Sequence, residues 1–144
     1  MRLLNGAKGW RNGQETSGVS YEAMVLQAAR LDLPWLLLKY KTKLVDKGPV
    51  ERDGRQLQLL QLPLENGLLV SAGIEPTTGH ILCSSGRTRT GSMTFETAYD
   101  DLRTVEGVLF AFKETNTAQG TKTAETLLSK IQILKEAPGD AFRP

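Results

Sequence analysis

Few side chains in this sequence could do covalent or acid–base chemistry, and their spacing keeps them apart. His80 is the single histidine and Cys83 the single cysteine. On a strand, residues three apart point to opposite faces, so the two do not form a thiol–imidazole pair. A Ser-His-Asp arrangement would have to use His80, which follows the turn Pro76-Thr77-Thr78-Gly79, and no Gly-x-Ser-x-Gly elbow is present. His80 therefore reads as a surface residue at a strand start. Cys83 ends the apolar run Ile81-Leu82-Cys83 and reads as a small buried hydrophobe. A zinc site needs three or four ligands, which one His and one Cys do not supply. Asp100-Asp101 is an adjacent acidic pair, but neighbours on a strand diverge. Neither a Gly-x-x-x-x-Gly-Lys nor a Gly-x-Gly-x-x-Gly phosphate cradle occurs. Arg87 and Arg89 read as a solvated loop tip rather than an anion grip. The expectation is a non-enzymatic protein with no cofactor and no metal.

Composition narrows the partners. The 144 residues carry 18 basic and 16 acidic side chains, a net charge of +2. No run of five Lys or Arg appears, and the aromatics sit on apolar faces rather than among basic residues, so nucleic acid is not expected. The apolar fraction of 40% and charged fraction of 24% are those of an ordinary globular chain. A chain of this length buries enough surface to need no disulfide or metal. No apolar run is long enough for a membrane-spanning helix. Met1-Arg2-Leu3-Leu4 is broken by Asn5-Gly6, so no signal peptide is visible. Two readings of compartment remain: a cytoplasmic protein, or an exported one whose leader has been removed. The chain opens directly on a hairpin signal, which favours the second.

Such residues as there are must be held by elements that the periodicity locates. Asn5-Gly6 and Asn12-Gly13 are turn signals flanking a short strand at Trp10. Ser20 is a candidate N-cap, and Tyr21, Met24, Val25, Ala28 and Leu31 follow at helical spacing. Pro34 to Tyr40 suits a second short helix, and the run Trp35 to Leu38 suggests burial on more than one side. From residue 42 the period is two. Strands are expected at Thr42–Lys47, Arg55–Leu64, Leu68–Glu75, His80–Ser84, Ser92–Asp101, Val108–Thr117 and Thr121–Leu134, with a bulge in the second near Leu59-Leu60. Glu65-Asn66-Gly67 is the strongest hairpin signal, of type I′. Ser85 to Gly91 reads as a loop or a bent hairpin tip. Met93, Phe95, Thr97 and Tyr99 share a face of their strand; Val108, Phe110 and Phe112 share a face of theirs. The whole is one domain over 1–144, with an N-terminal hairpin at 1–18, a helical segment at 19–41, an antiparallel sheet at 42–134 and a tail at 135–144. The fold class is mainly β (α+β): a curved antiparallel meander or half-open β-barrel, with the helical segment covering its apolar face.

Several stretches resemble bacterial envelope proteins related to the periplasmic lipoprotein-localisation carriers. Pro76-Thr77-Thr78-Gly79-His80-Ile81-Leu82 is similar to their "D-P-x-T-G-L-L" turn and strand. Tyr99-Asp100-Asp101-Leu102-Arg103-Thr104-Val105-Glu106-Gly107-Val108 follows their "Y-x-D-Y-R-x-V-D-G-V". Leu102 replaces an aromatic there, and Ala111 replaces a frequent proline. Lys130-Ile131 and Pro138-Gly139-Asp140-Ala141-Phe142-Arg143-Pro144 look like their C-terminal run, and Gly6 to Trp10 like their first "D-G-x-x-x-W" strand. These proteins carry extra N-terminal strands, so the resemblance implies a chain truncated at that end. It also implies a half-open barrel in the periplasm or cell envelope, binding a lipid or a lipoprotein acyl chain. On that reading Trp35, Leu38, Met93, Phe95, Tyr99, Phe110 and Phe112 line an apolar concave face. The residues by themselves leave three options open: a solid core, a ligand cavity, or a protein-interaction surface. The resemblance further implies that the Trp10 strand is an unpaired edge, which favours a homodimer through that edge unless the tail from Lys135 covers it.

Overall fold

The computed structural model describes residues 2–136; Met1 and residues 137–144, which carry most of the expected tail and the Pro138–Pro144 motif, lie outside the described residues. The chain is mainly β, in two antiparallel sheets with two helices between them in sequence. Strands β1 (Arg2–Asn5), β2 (Lys8–Arg11) and β3 (Gln14–Thr16) form a small meander. Helices α1 (Gly18–Leu31) and α2 (Leu33–Lys39) follow. The large sheet then runs β4 (Val45–Arg52), β5 (Arg55–Pro63), β6 (Leu69–Ile74), β7 (Ile81–Arg87), β8 (Thr94–Val105), β9 (Val108–Ala118) and β10 (Thr121–Leu127). Each strand pairs with its sequence neighbour, so the sheet is a plain meander and does not close into a barrel.

Local chemistry explains the hairpins. Asn12-Gly13, Asp53-Gly54, Glu106-Gly107 and Gln119-Gly120 each place two successive residues at positive φ. That is the requirement of a two-residue type I′ turn, whose twist matches the flanking strands. The Asn66-Gly67 hairpin forms too, but through a 3-10 turn at Glu65–Gly67, closed by Leu64 N–H to Leu68 O at 2.8 Å. The expected bulge also lies elsewhere. β5 pairs with β6 without a break from Gln58 to Pro63. The extra residue is on β4, between Asp46 and Pro49, where Gly48 adopts φ +84° and its N–H bonds to Asp46 Oδ1 at 2.8 Å. Pro49 is tolerated because β4 is an edge strand, and the bulge and proline together discourage further pairing there.

Leu57 and Leu62 are both buried although they point to opposite faces of β5, because both faces are covered. Leu62, Val70 and Ala72 form the main core with Leu33 and Leu37 of α2, each fully buried Leu contributing about 1.5–3 kcal/mol. Leu57 covers the other face, lying over Gly73. On that same face Arg52 of β4 reaches Glu96 of β8 at 3.3 Å, across three intervening strands.

Several expectations need correction. α1 begins at Gly18 with Ser17, not Ser20, as N-cap. Its buried residues are Met24, Leu26 and Ala29, while Leu31 is 71% exposed, so the buried stripe is rotated from the one expected. The cause is Gly86 of β7: a Cβ there would meet Leu26 Cβ at 3.2 Å, so the missing side chain lets Leu26 seat directly on the sheet. β7 continues to Arg87 rather than looping out at Ser85, because Ser85 to Arg87 pair with both neighbouring strands. β10 ends at Leu127, not Leu134. The N-terminal region is a three-stranded sheet rather than a hairpin. Trp10 sits on its central strand, paired on both sides, so the Trp10 strand is no edge.

Gly73 makes a test of the covered second face. A Cβ at that position would meet Cys83 Sγ and come within 3.1 Å of Leu57 Cδ1. Gly73→Ala is expected to cost about 1–3 kcal/mol in urea unfolding. Adding Cys83→Ala should restore part of that loss, giving a non-additive pair in the double-mutant cycle.

Candidate ligand cavity

α1 lies over β6 and β7, and the small sheet stands against its other flank. Between α1 and strands β7 to β10 a cavity of about 560 Å³ remains. Its construction begins at the turn after β7. Thr88, almost fully buried, takes Met93 N–H on its hydroxyl at 3.1 Å, and its own N–H bonds to Met93 O at 3.1 Å. This closed turn sets Met93 and then Phe95 against the cavity, where Ala23, Met24 and Leu26 face them from α1. Arg89 in the same loop pairs with Glu22 of α1 at 3.5 Å, so it ties the loop to the helix. Arg2 and Arg11, both exposed, reach the cavity from the small sheet.

The floor is polar. Arg30 of α1 donates to Glu114 Oε2 of β9 at 3.1 Å, with side chains only 16% and 22% exposed. Tyr99 OH and Ser84 Oγ are 2.7 Å apart, and Thr97 Oγ1 donates to Asn116 Oδ1 at 2.8 Å. Burial alone would lower the Arg30 pKa, but Tyr99 and Glu114 beside it outweigh that and hold it above the ordinary value. Burial also pushes the Tyr99 phenol up; its bond with Ser84 and the charge of Arg30 pull it back only in part. These groups satisfy one another, as buried polar atoms must.

Among the residues expected to line an apolar face, Met93 and Phe95 meet at the cavity. Tyr99 does not line it, but its hydroxyl meets Ser84 Oγ of the polar floor. Phe112 is buried further along β9, with the Arg103 guanidinium 4.4 Å from its ring centre, and Phe110 is half-buried opposite Arg103. Trp35 and Leu38 do not join them. They are 61% and 70% exposed on the side of α2 away from the core, because Leu33 and Leu37 take the inward positions. The run Trp35 to Leu38 is thus buried on one side only. Arg30, Glu114, Ser84 and Asn116 were not anticipated. Their one signal is the polar alternation of Glu114 and Asn116 on the face that also bears Phe112.

His80 stands just before β7, its carbonyl accepting from Glu75 N–H at 2.9 Å. Cys83 is half-buried on the opposite face of the sheet, under the β4–β5 tip, in a second hollow of about 380 Å³. Burial raises its thiol pKa, against the opposing charge of Arg52. No group of three His, Cys, Asp or Glu able to hold a metal occurs among the described residues. None of their helices is long and apolar enough to cross a membrane. The chain matches no protein-family model, no curated protein and no solved structure.

The polar floor is open to two measurements. The folded phenol of Tyr99 binds its proton more tightly than the unfolded one, so its stabilisation is complete below about pH 10 and is lost as pH rises through the folded value. Absorbance titration of the three tyrosines should show a late ionisation that Tyr99→Phe removes. Glu114→Gln leaves Arg30 without its counter-charge and is expected to cost about 1–3 kcal/mol in thermal or denaturant unfolding.

Proposed function

We propose that this chain is a non-enzymatic binding protein of the bacterial cell envelope, akin to the lipoprotein-localisation carriers, that receives the apolar chain of a lipid or lipoprotein between α1 and the large sheet. The finer architecture that goes with this reading is a curved, half-open sheet with α1 in its hollow. Support comes from the single cavity wall that runs from β7 through β8 and β9 to β10 while α1 faces it. The observation that carries the function is the pairing within that cavity of an apolar wall, Met24, Met93 and Phe95, with arginines at Arg2 and Arg11. Methionine and phenylalanine adapt to a flexible alkyl chain without fixed geometry. The arginines suit an anionic headgroup, which a guanidinium can hold through two bonds. The ligand class is therefore an amphiphile with a negative head.

A second reading has its own support. Arg30 with Glu114, and Thr97 with Asn116, bond to each other across the floor, which suits an interaction module that binds no small molecule. The two separate experimentally. Mass spectrometry of the purified chain under native conditions, before and after delipidation, should find a bound amphiphile, and a fluorescent fatty acid should be taken up. Ala23→Trp, which fills the cavity from α1, is expected to lower uptake at least about tenfold, since a ligand cannot enter a filled pocket. A clean protein that ignores the probe would favour the interaction module.

A further inference from the structure

The outward side of α2 contributes nothing to the cavity, yet it is the most apolar exposed feature of the helical layer. Leu31, Trp35 and Leu38 recur at intervals of four and three residues and are 71%, 61% and 70% exposed. The cause is local. Leu33 and Leu37 occupy the core against Leu62, Val70 and Ala72, with Leu36 packed against it, so Trp35 and Leu38 are left outward on α2, as Leu31 is at the end of α1. Directly after them the chain bears Lys39, Lys41 and Lys43, all exposed, around a 3-10 turn. From Leu31 to Val45 the one acidic residue is Asp32, at the junction of the two helices, against the three lysines. Lys39 and Lys43 flank the Tyr40 ring at 5.1 and 5.2 Å, and none of the three lysines makes an ion pair among the described residues.

We infer that this corner of the molecule docks on an anionic lipid surface, with Leu31, Trp35 and Leu38 entering the headgroup–acyl boundary and Lys39, Lys41 and Lys43 meeting lipid phosphates. A short helix with an apolar stripe and adjoining lysines lies in the membrane interface in this manner. Trp is the side chain best suited to that depth, having an apolar body and one N–H donor. The lysines add attraction to anionic headgroups that acts over about one Debye length. A bilayer fits better than a protein partner for two reasons. The apolar residues project from a helix and do not line a groove. Lysine, a flexible point charge, is depleted from protein interfaces, whereas phosphate headgroups accept it in any geometry. The inference goes beyond the cavity reading and does not depend on it, since the two use different residues.

Flotation of the full chain with phosphatidylcholine vesicles, with and without phosphatidylglycerol, tests it. The chain should float with the anionic vesicles and fall away as salt is raised. In a Trp10→Phe background, Trp35 is the sole tryptophan, and its emission should shift to the blue on binding and be quenched by brominated lipid. Trp35→Ser with Leu38→Ser, and separately Lys39→Gln, Lys41→Gln and Lys43→Gln together, should each weaken vesicle binding at least about tenfold. All these residues are exposed, so the variants should fold, and retained fatty-acid uptake would separate this surface from the cavity. Absence of flotation with anionic vesicles, or flotation of both variants undiminished from that of the parent chain, overturns the inference. So does a dimer by light scattering that the Trp35→Ser, Leu38→Ser variant dissociates while the parent ignores vesicles; the patch would then be covered by a second copy.

Discussion

The seat of Leu26 on Gly86 governs how the helical layer meets the sheet. A helix normally rides about 10 Å above a sheet because side chains stand between them. Here one side chain is missing, and α1 comes down at that point with Leu26 against bare backbone. The contact fixes the rotation of α1, which turns Met24 and Ala29 inward with Leu26 and leaves Leu31 outside. It also fixes where the helix is not. Touching β6 and β7 closely, α1 stands off from β8 to β10, and the cavity is the space so left. Arg30 bridges that space to Glu114, holding the far end of the helix at a set height above the sheet.

Glycine acts on the other face in the same sense. Gly73 admits Leu57, and the β4–β5 tip comes over the sheet far enough for Arg52 to pair with Glu96. Both faces of β5 and β6 are therefore covered, one by α2 and one by the tip of a neighbouring hairpin. A half-exposed antiparallel sheet would show polar residues on one face; β6 instead reads Leu-Val-Ser-Ala-Gly-Ile, with four consecutive buried residues. Covering both faces there concentrates stability in β5 and β6, at the opposite end of the meander from β10, whose residues are all exposed.

How much of this was legible follows from which signals are local. The Asn12-Gly13 turn was readable because Asn-Gly carries its own conformational requirement, and the face shared by Phe95, Thr97 and Tyr99 was readable from period two. The helix stripe was misread because its orientation depends on Gly86, some sixty residues away in the chain, and an amphipathic pattern alone tolerates a rotated alternative. The apparent bulge at Leu59-Leu60 was a sound inference from one-face burial, and it failed because Leu57 and Leu62 each have a cover of their own. Trp35 and Leu38 looked like core because apolar runs usually are; only the competition with Leu33 and Leu37 for the inward positions decides otherwise. The polar alternation of Glu114 and Asn116 could have marked a polar face, but nothing in the neighbourhood of Arg30 or of Glu114 specifies the ion pair between them.

The polar floor bears directly on what the cavity can accept. A purely apolar hollow of this size would favour any alkyl chain equally and would collapse or fill with difficulty when empty. Arg30, Glu114, Ser84, Thr97 and Asn116 give the present one a polar base whose groups bond to one another and to Tyr99. A ligand that reached the base would have to replace those bonds, and an alkyl chain cannot. The proposed guest would thus be confined, in its apolar part, to the wall of Met24, Met93 and Phe95, beside Arg2 and Arg11. If the cavity does take the amphiphile proposed, the floor would set its depth of entry, so short or partly inserted chains whose charged end stays by the arginines would fit better than a fully engulfed lipid.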